Sequence, residues 1–257
     1  MIPAIIIGRG GSKGFPGKNF TKINGFPLMS YPIMAAIDSN EIGKIYFSTE
    51  DKRLKNIALE YGAEIIDRPK ELAVDGALGE DVFVHAYNII GGNNYHRWNP
   101  VKGDIDNSKE EIKFVVLMFA NSIGVVGWMV DEMIDILRKA DGDIDSICTV
   151  SSYPAFSPYR MRKINKEGLL EPFVDDLDWG KVDCDRDSGI TSYIYDCCCA
   201  VVKPRCLENI SGGLPPQRWL GKKILPYDEL RNEIPCLDID YQWQLNQVKE
   251  WIELNWI

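Results

Sequence analysis

GRGGSKGFPGKN, residues 8–19, follows directly on the apolar run IPAIII at residues 2–7. The run is short and rich in isoleucine, which suits a strand buried on both faces, as in a parallel sheet. The twelve residues after it hold five glycines, Pro16 and the cations Arg9, Lys13 and Lys18. Glycines let backbone N–H groups approach an anion closely, and three cations around such a bend suit a ligand with several negative charges, such as a chain of phosphates.

Two familiar phosphate loops are excluded by spacing. A Walker A loop ends Gly-Lys-Ser/Thr with its first glycine five positions before the second; here Gly17-Lys18 is followed by Asn19, and Ser12 stands five before Gly17. The dinucleotide fingerprint starts correctly with Gly8 and Gly10 but has Lys13 where the third glycine lets helix and strand pack. What remains is a cationic, glycine-rich cradle.

The pattern outward from this loop alternates. Residues 28–39 have helical apolar spacing, 44–49 alternate as a strand, and 52–61 read as a helix closed by Gly62. Residues 63–66, 114–119 and 146–150 predict further strands, with helices at 81–90 and 129–140 between them. This order predicts an α/β fold with a mostly parallel sheet, in which ligands bind beyond the carboxyl ends of the strands. Residues 91–113 interrupt it as a polar surface excursion. Residues 151–216 are irregular, with the basic cluster Arg160, Arg162 and Lys163, an acidic stretch at 175–187 and a core strand at 194–202. They predict an extension of one domain spanning 1–257, with apolar residues available for a dimer surface.

Bulk properties narrow the partners. A net charge of −9 argues against nucleic acid or an acidic membrane, since either calls for a basic face. No apolar run approaches the ~20 residues of a membrane span, and no signal peptide opens the chain. Seven cysteines, an odd number without metal spacing, predict reduced thiols and a cytoplasmic setting. Cys197, Cys198 and Cys199 read as small core residues, and Trp243, Trp251 and Trp256 as the apolar face of a closing helix. His85 and His96 lack the neighbours of a zinc site.

The segment 6–14 (IIGRGGSKG), Lys18-Asn19 and residues 25–28 (GFPL) together resemble the nucleotide-binding signature of the CMP-sialic acid synthetase family of cytidylyltransferases. The likeness continues in order through residues 47–51 (FSTED), Tyr61-Gly62-Ala63, Arg68-Pro69, Glu71-Leu72-Ala73 and Asp75, and at residues 237–240 (LDID) it resembles the family's paired-aspartate metal motif. The resemblance implies a three-layer α/β/α fold of the glycosyltransferase-A-like kind, usually a homodimer, that transfers CMP from CTP to an acidic nine-carbon sugar and releases pyrophosphate. It implies nucleotide binding by Arg9, Gly10, Gly11, Ser12, Lys18, Asn19 and Arg68, and contact with the sugar acid by Arg186. Arg9, Lys18 and Asp240 would act in catalysis, with Asp238 and Asp240 as ligands of Mg²⁺.

On an extended segment, residues two apart project to one side, so both aspartates can meet one hard cation. The sequence departs from the family at residues 117–124 (LMFANSIG), where a Gln-Pro-Thr-Ser-Pro-Leu-Arg stretch is usual, and at Asp196-Cys197-Cys198, where Asn-Gly-Ala is usual. Both departures fall where base and acceptor would be read. Alternatives are therefore another nucleotide, a non-sugar acidic acceptor, or a catalytically silent nucleotide-binding protein.

Overall fold

A β-branched run can lie in the middle of a sheet only if both its faces find apolar partners, and β1 (Pro3–Ile7) does so: all five residues are buried. The computed structural model describes residues 1–74, 76–91, 98–99, 104–105, 111–152, 157–175, 191–228 and 238–255. In chain order these give β1, β2 (Lys22–Ile23), β3 (Phe26–Pro27), α1 (Ser30–Asp38), β4 (Lys44–Thr49), α2 (Lys52–Glu60), β5 (Glu64–Asp67) and α3 (Gly79–Ile89). Then come β6 (Trp98–Asn99), β7 (Asp104–Ile105), β8 (Val115–Phe119), α4 (Gly127–Lys139), β9 (Ser146–Ser151), β10 (Arg162–Ile164) and β11 (Leu170–Pro172). The chain continues through β12 (Ile194–Val202), α5 (Arg205–Glu208), β13 (Ile224–Tyr227) and α6 (Leu245–Asn255).

Seven strands form one sheet in the order β13-β9-β12-β8-β1-β4-β5. β1 runs parallel to both β4 and β8, β4 to β5, and β9 to β13. β12 is antiparallel to β8 and β9, so the predicted mostly parallel sheet carries one reversed strand. From β1 the chain builds outward to β4 and β5 on one side; β8 then takes the other side. The strand order therefore switches between β1 and β8, and the loops leaving them diverge to open a crevice at their carboxyl ends.

Side-chain alternation along β1 divides the interior in two. Ala4 and Ile6 join a core with α1, α2, α4 and the buried residues Val248 and Ile252 of α6. Ile5 and Ile7 point the other way, into a core built with α3, α5 and Trp219. Asp51 starts α2 by accepting from the N–H groups of Arg53 at 2.7 Å and Leu54 at 3.3 Å, satisfying donors that the first turn leaves free.

β12 carries an irregularity its sequence does not announce. Its register against β9 shifts between Tyr195 and Ala200, and Cys197 has φ 59°, in the left-handed region. The bulge is held by Asp196, fully buried, which accepts from Thr149 Oγ1, from Cys198 N at 3.1 Å and from Ser151 Oγ at 3.1 Å. It turns the Cys197 carbonyl toward Ser122, whose hydroxyl donates to it at 2.6 Å. Cys198 and Cys199 are buried, as the sequence reading expects, whereas Cys197 is only partly buried.

Trp243 departs from expectation. It is 65% exposed, in a 3-10 turn just ahead of α6 rather than on the apolar face of that helix. Nothing is described of the Trp251 side chain or of Trp256. Most of the excursion at 91–113 and of the acidic stretch after Asp175 also lies outside the described residues. Among the described residues no helix is long and apolar enough to cross a membrane.

Candidate active site

The crevice between the ends of β1 and β8 holds a cavity of about 250 Å³. Ile7, Gly8 and Arg9 enter it from the end of β1, Phe119 and Asn121 from the end of β8, and Lys18, Asn19 and Arg68 from the loops between. Leu72, Val74, Ala77 and Val82 complete an apolar wall. The cavity thus has cations on one side and hydrocarbon on the other, as an anionic ligand with a flat or apolar portion requires.

The glycine-rich loop is folded over the sheet by hydrogen bonds its sequence makes possible. Gly10 N donates to Glu50 Oε1 at 2.8 Å, and a side chain at Gly10 would place its Cβ 2.2 Å from an Asp51 carboxylate oxygen, so this approach requires glycine. Asn19, 4% exposed, donates from Nδ2 to the Arg9 carbonyl at 3.1 Å and ties the two ends of the loop together. Its Oδ1 is buried without a hydrogen-bond partner among the described residues, an acceptor left for a ligand donor.

Arg68 is 7% exposed. Its guanidinium donates to the Ser48 carbonyl at 2.6 Å and lies 3.9 Å from Glu50. Burial pulls its pKa down to about 10, Glu50 opposes this, and the nearby Arg9 adds to it. It stays charged at neutral pH, so the site holds two neighbouring cations, Arg9 and Arg68, with Glu50 between the loop and the strand.

The late acidic segment lies against this loop. Lys18 Nζ donates to Asp240 Oδ1 at 2.6 Å, and a Cβ on Gly14 would come within 2.9 Å of the Asp240 carbonyl. Asp238 forms an isolated antiparallel bridge with Ser122 beyond β8, and Asn121 Nδ2 donates both to the Asp238 carboxylate and, at 3.1 Å, to the Ile239 carbonyl. Removal of the Asp238 carboxyl from water pushes its pKa up to about 7; repulsion from Asp240 and Asp196 adds to the rise, while Lys18 opposes it.

That arrangement fits Mg²⁺. Two hard oxygen donors lie at alternate positions, and one is destabilised as an anion by burial and by its neighbour, so a cation there relieves both costs. Among the described residues no group of three or more His, Cys, Asp or Glu is gathered for a metal.

Of the residues singled out from sequence, Arg9, Lys18, Asn19 and Arg68 share the cavity, and Asp240 meets Lys18 at its edge. Gly10, Gly11 and Ser12 belong to the loop but are not among the cavity-lining residues. Arg186 lies outside the described residues. Sequence reading passed over Glu50, Phe119, Asn121 and Gln244 as site residues. Gln244 left one usable signal: a Gln three positions after Tyr241 and just before an apolar run has the spacing of a helix-start capping box.

Residues 3–87 match a family model described as Cytidylyltransferase. N-acylneuraminate cytidylyltransferase A of Danio rerio is 39% identical over 80 residues, 31% of this chain and 19% of that protein. N-acylneuraminate cytidylyltransferase of Oncorhynchus mykiss is 35% identical over 251 residues, 94% of this chain and 48% of that protein. The chain therefore spans about a fifth to about half of the length of these relatives. Among solved structures, CMP:2-keto-3-deoxy-manno-octonic acid synthetase complexed with CTP superposes with a TM-score of 0.64 at 14% identity, covering 98% of both chains, a likeness of fold. From the first strand through α3 the chain matches the cytidylyltransferase family model, and 94% of it aligns at 35% identity with one such relative, so its likeness from end to end is to cytidylyltransferases.

Proposed function

We propose that the protein transfers CMP from CTP to the hydroxyl of an acidic sugar, a sialic acid or a related nonulosonic acid, with release of pyrophosphate. The observation that carries this reading is the contact between Lys18 and Asp240, which joins the cationic loop and the acidic strand at the edge of one cavity.

Nucleotidyl transfer needs little covalent chemistry from protein; its barrier falls through in-line positioning and through charge held against the phosphate oxygens. Arg9 and Lys18 would hold the triphosphate, and the loop from Gly10 to Ser12 would line its path with the N–H groups of Gly11 and Ser12, that of Gly10 being held by Glu50. Asn19 Oδ1, buried and unpartnered, suits the exocyclic amine of cytosine, a donor that uracil lacks. Arg68 would lie near base and ribose. Asp238 and Asp240 would hold Mg²⁺, which when bound supplies neutralisation of phosphate charge and acidifies an attacking hydroxyl. For this Lys18 must exchange Asp240 for phosphate. Arg186 is proposed to face the acceptor's carboxylate.

The chain is read as one domain over 1–257 with the three-layer α/β/α, glycosyltransferase-A-like architecture. Its segment 151–216 is proposed to make a homodimer, since the β10–β11 hairpin exposes Ile164, Leu169, Leu170 and Phe173. A cytoplasmic setting suits the free thiols and the soluble substrates.

The test is direct. The protein is incubated with each of the four nucleoside triphosphates, Mg²⁺ and a panel of acidic sugars, and pyrophosphate is measured. Release with CTP and a nonulosonic acid alone is expected. Release with another triphosphate would overturn the nucleotide assignment; CTP-induced stabilisation with no pyrophosphate from any acceptor would make the protein a binder rather than an enzyme.

A further inference from the structure

The acidic strand at residues 238–241 belongs to none of the sheets. Its strand-like pairing is the bridge to Ser122, yet most of its backbone polar groups are paired. Asn121 serves one side: its backbone carbonyl accepts from Ile239 N at 2.9 Å, and its side chain donates to the Ile239 carbonyl. Gln244 serves three more groups. Its Oε1 accepts from Asp240 N at 2.8 Å and from Tyr241 N at 2.7 Å, and its Nε2 donates to the Asp238 carbonyl at 2.9 Å. Gln244 N also donates to the Tyr241 carbonyl at 3.1 Å, closing the turn.

Gln244 is 9% exposed and immediately precedes α6, which is anchored through the buried Val248 and Ile252. The Asp240 side chain, by contrast, is 58% exposed. Little packing fixes that carboxylate, so its direction depends on the backbone that Gln244 grips on both sides. Three hydrogen bonds from one buried amide, each to a main-chain group within the aspartate segment, are more than a helix start needs: a cap requires only the acceptor. The third bond, to the Asp238 carbonyl, lies outside the helix and acts only on the acidic strand.

We infer that Gln244 is a positioning residue that sets Asp238 and Asp240 at the spacing a divalent cation bound with CTP requires. The inference rests on the function proposed above, and it reaches the reaction through the two aspartates, without Gln244 touching substrate. An aliphatic side chain of the same length would leave two N–H groups and one carbonyl unpaired and free the segment to relax toward solvent. Glu would keep the acceptor for Asp240 and Tyr241 but lose the donor and turn a carboxylate oxygen toward the Asp238 carbonyl, breaking the one bond that acts on the acidic strand alone.

The experiment compares full-length wild type with Gln244→Met and Gln244→Glu. Free Mn²⁺ is measured by electron paramagnetic resonance with CTP present, and CTP binding without metal by calorimetry. Gln244→Met is expected to weaken Mn²⁺ affinity in the CTP complex at least tenfold and Gln244→Glu at least threefold, while the metal-free CTP affinity of both stays within twofold of wild type. Mn²⁺ affinity of Gln244→Met within twofold of wild type, or a parallel loss of metal-free CTP binding, would overturn the inference. If Gln244→Met does not fold, Gln244→Glu decides: folded protein with Mn²⁺ affinity within twofold of wild type overturns it. Wild type that binds CTP and Mn²⁺ in this way but releases no pyrophosphate would defeat the proposed activity and leave the role of Gln244 standing.

Discussion

Lys18 and Asp240 stand 222 positions apart in the chain, and the ammonium of one lies 2.6 Å from the carboxylate of the other. The lysine side chain is 12% exposed and the aspartate 58%. An ion pair open to water on one side contributes little to stability, about 0–1 kcal/mol. Its importance is geometric: it brings the first loop and the acidic strand to one cavity edge, and it is the contact that an incoming triphosphate and metal would divide between them.

Lys18→Ala and Asp240→Ala should therefore be far more damaging to turnover than to folding. Removal of one charge stabiliser from a phosphoryl-transfer site is expected to lower kcat by roughly a hundredfold or more. The folding free energy should move by no more than about 1 kcal/mol. Pyrophosphate release and urea unfolding on the same preparations check this, and retained turnover in either variant would reject its role.

Two glycines of the loop should behave differently. A Cβ at Gly14 meets the Asp240 carbonyl at 2.9 Å and the Tyr241 ring at 3.4 Å, whereas one at Gly11 has nothing within 4 Å. Gly14→Ala is expected to push the acidic strand off the loop and lower turnover at least tenfold. Gly11→Ala should fold with stability within about 0.5 kcal/mol of wild type. Equal effects of Gly14→Ala and Gly11→Ala on turnover would argue against the contact.

Arg68 is expected to matter to the fold as well as to the ligand. Arg68→Met would remove the donor from the Ser48 carbonyl and take the Arg68 cation from the Glu50 carboxylate, whose Oε2 lacks a hydrogen bond among the described residues. Breaking this partly buried pair from one side, together with the lost hydrogen bond to Ser48, is expected to cost on the order of 1–3 kcal/mol. A urea midpoint unchanged by Arg68→Met would contradict this.

Asp238 should leave a mark on stability against pH in metal-free buffer. Burial raises its folded-state pKa from 3.8 to about 7. For a raised carboxyl, the protonated form is the one the fold favours, so its contribution is fully present below the unfolded pKa and is lost as pH rises toward about 7. Asp238→Asn removes this loss. The variant should gain on wild type by roughly 2–4 kcal/mol between pH 4 and pH 8, measured by urea unfolding at each pH. A difference that stays flat with pH would show that the carboxyl is not strained in this way.

How far the molecule could be read from its residues is clear from a few of them. The isoleucine run of β1, the alternation in β4 and the spacing of the helices follow from local side-chain pattern, and most strands and helices of the core lie within a few residues of where that pattern puts them, β13 and the short α5 being unread. Arg9, Lys18 and Asn19 were legible because glycine, cations and position after a strand together carry a physical meaning. The bulge at Cys197 was not. Its left-handed φ depends on Asp196 bonding to Thr149 and Ser151, 47 and 45 positions away, and a run of three cysteines gives no hint of it. Gln244 and Asn121 stayed hidden for the same reason, because an amide declares its partners only when the chain has brought them together. Trp243 was misread because aromatic content near a helix does not say which side of the turn faces water.

The most direct test of the joint site is a crystal structure of the protein with CTP and Mn²⁺, read from the anomalous difference density of the metal. The account predicts the triphosphate against the loop of residues 8–19, cytosine near Asn19, and one metal peak between the phosphates and the carboxylates of Asp238 and Asp240, with Lys18 moved from Asp240 to phosphate. A nucleotide bound elsewhere, or a metal peak away from both aspartates while CTP occupies the cavity, would contradict it.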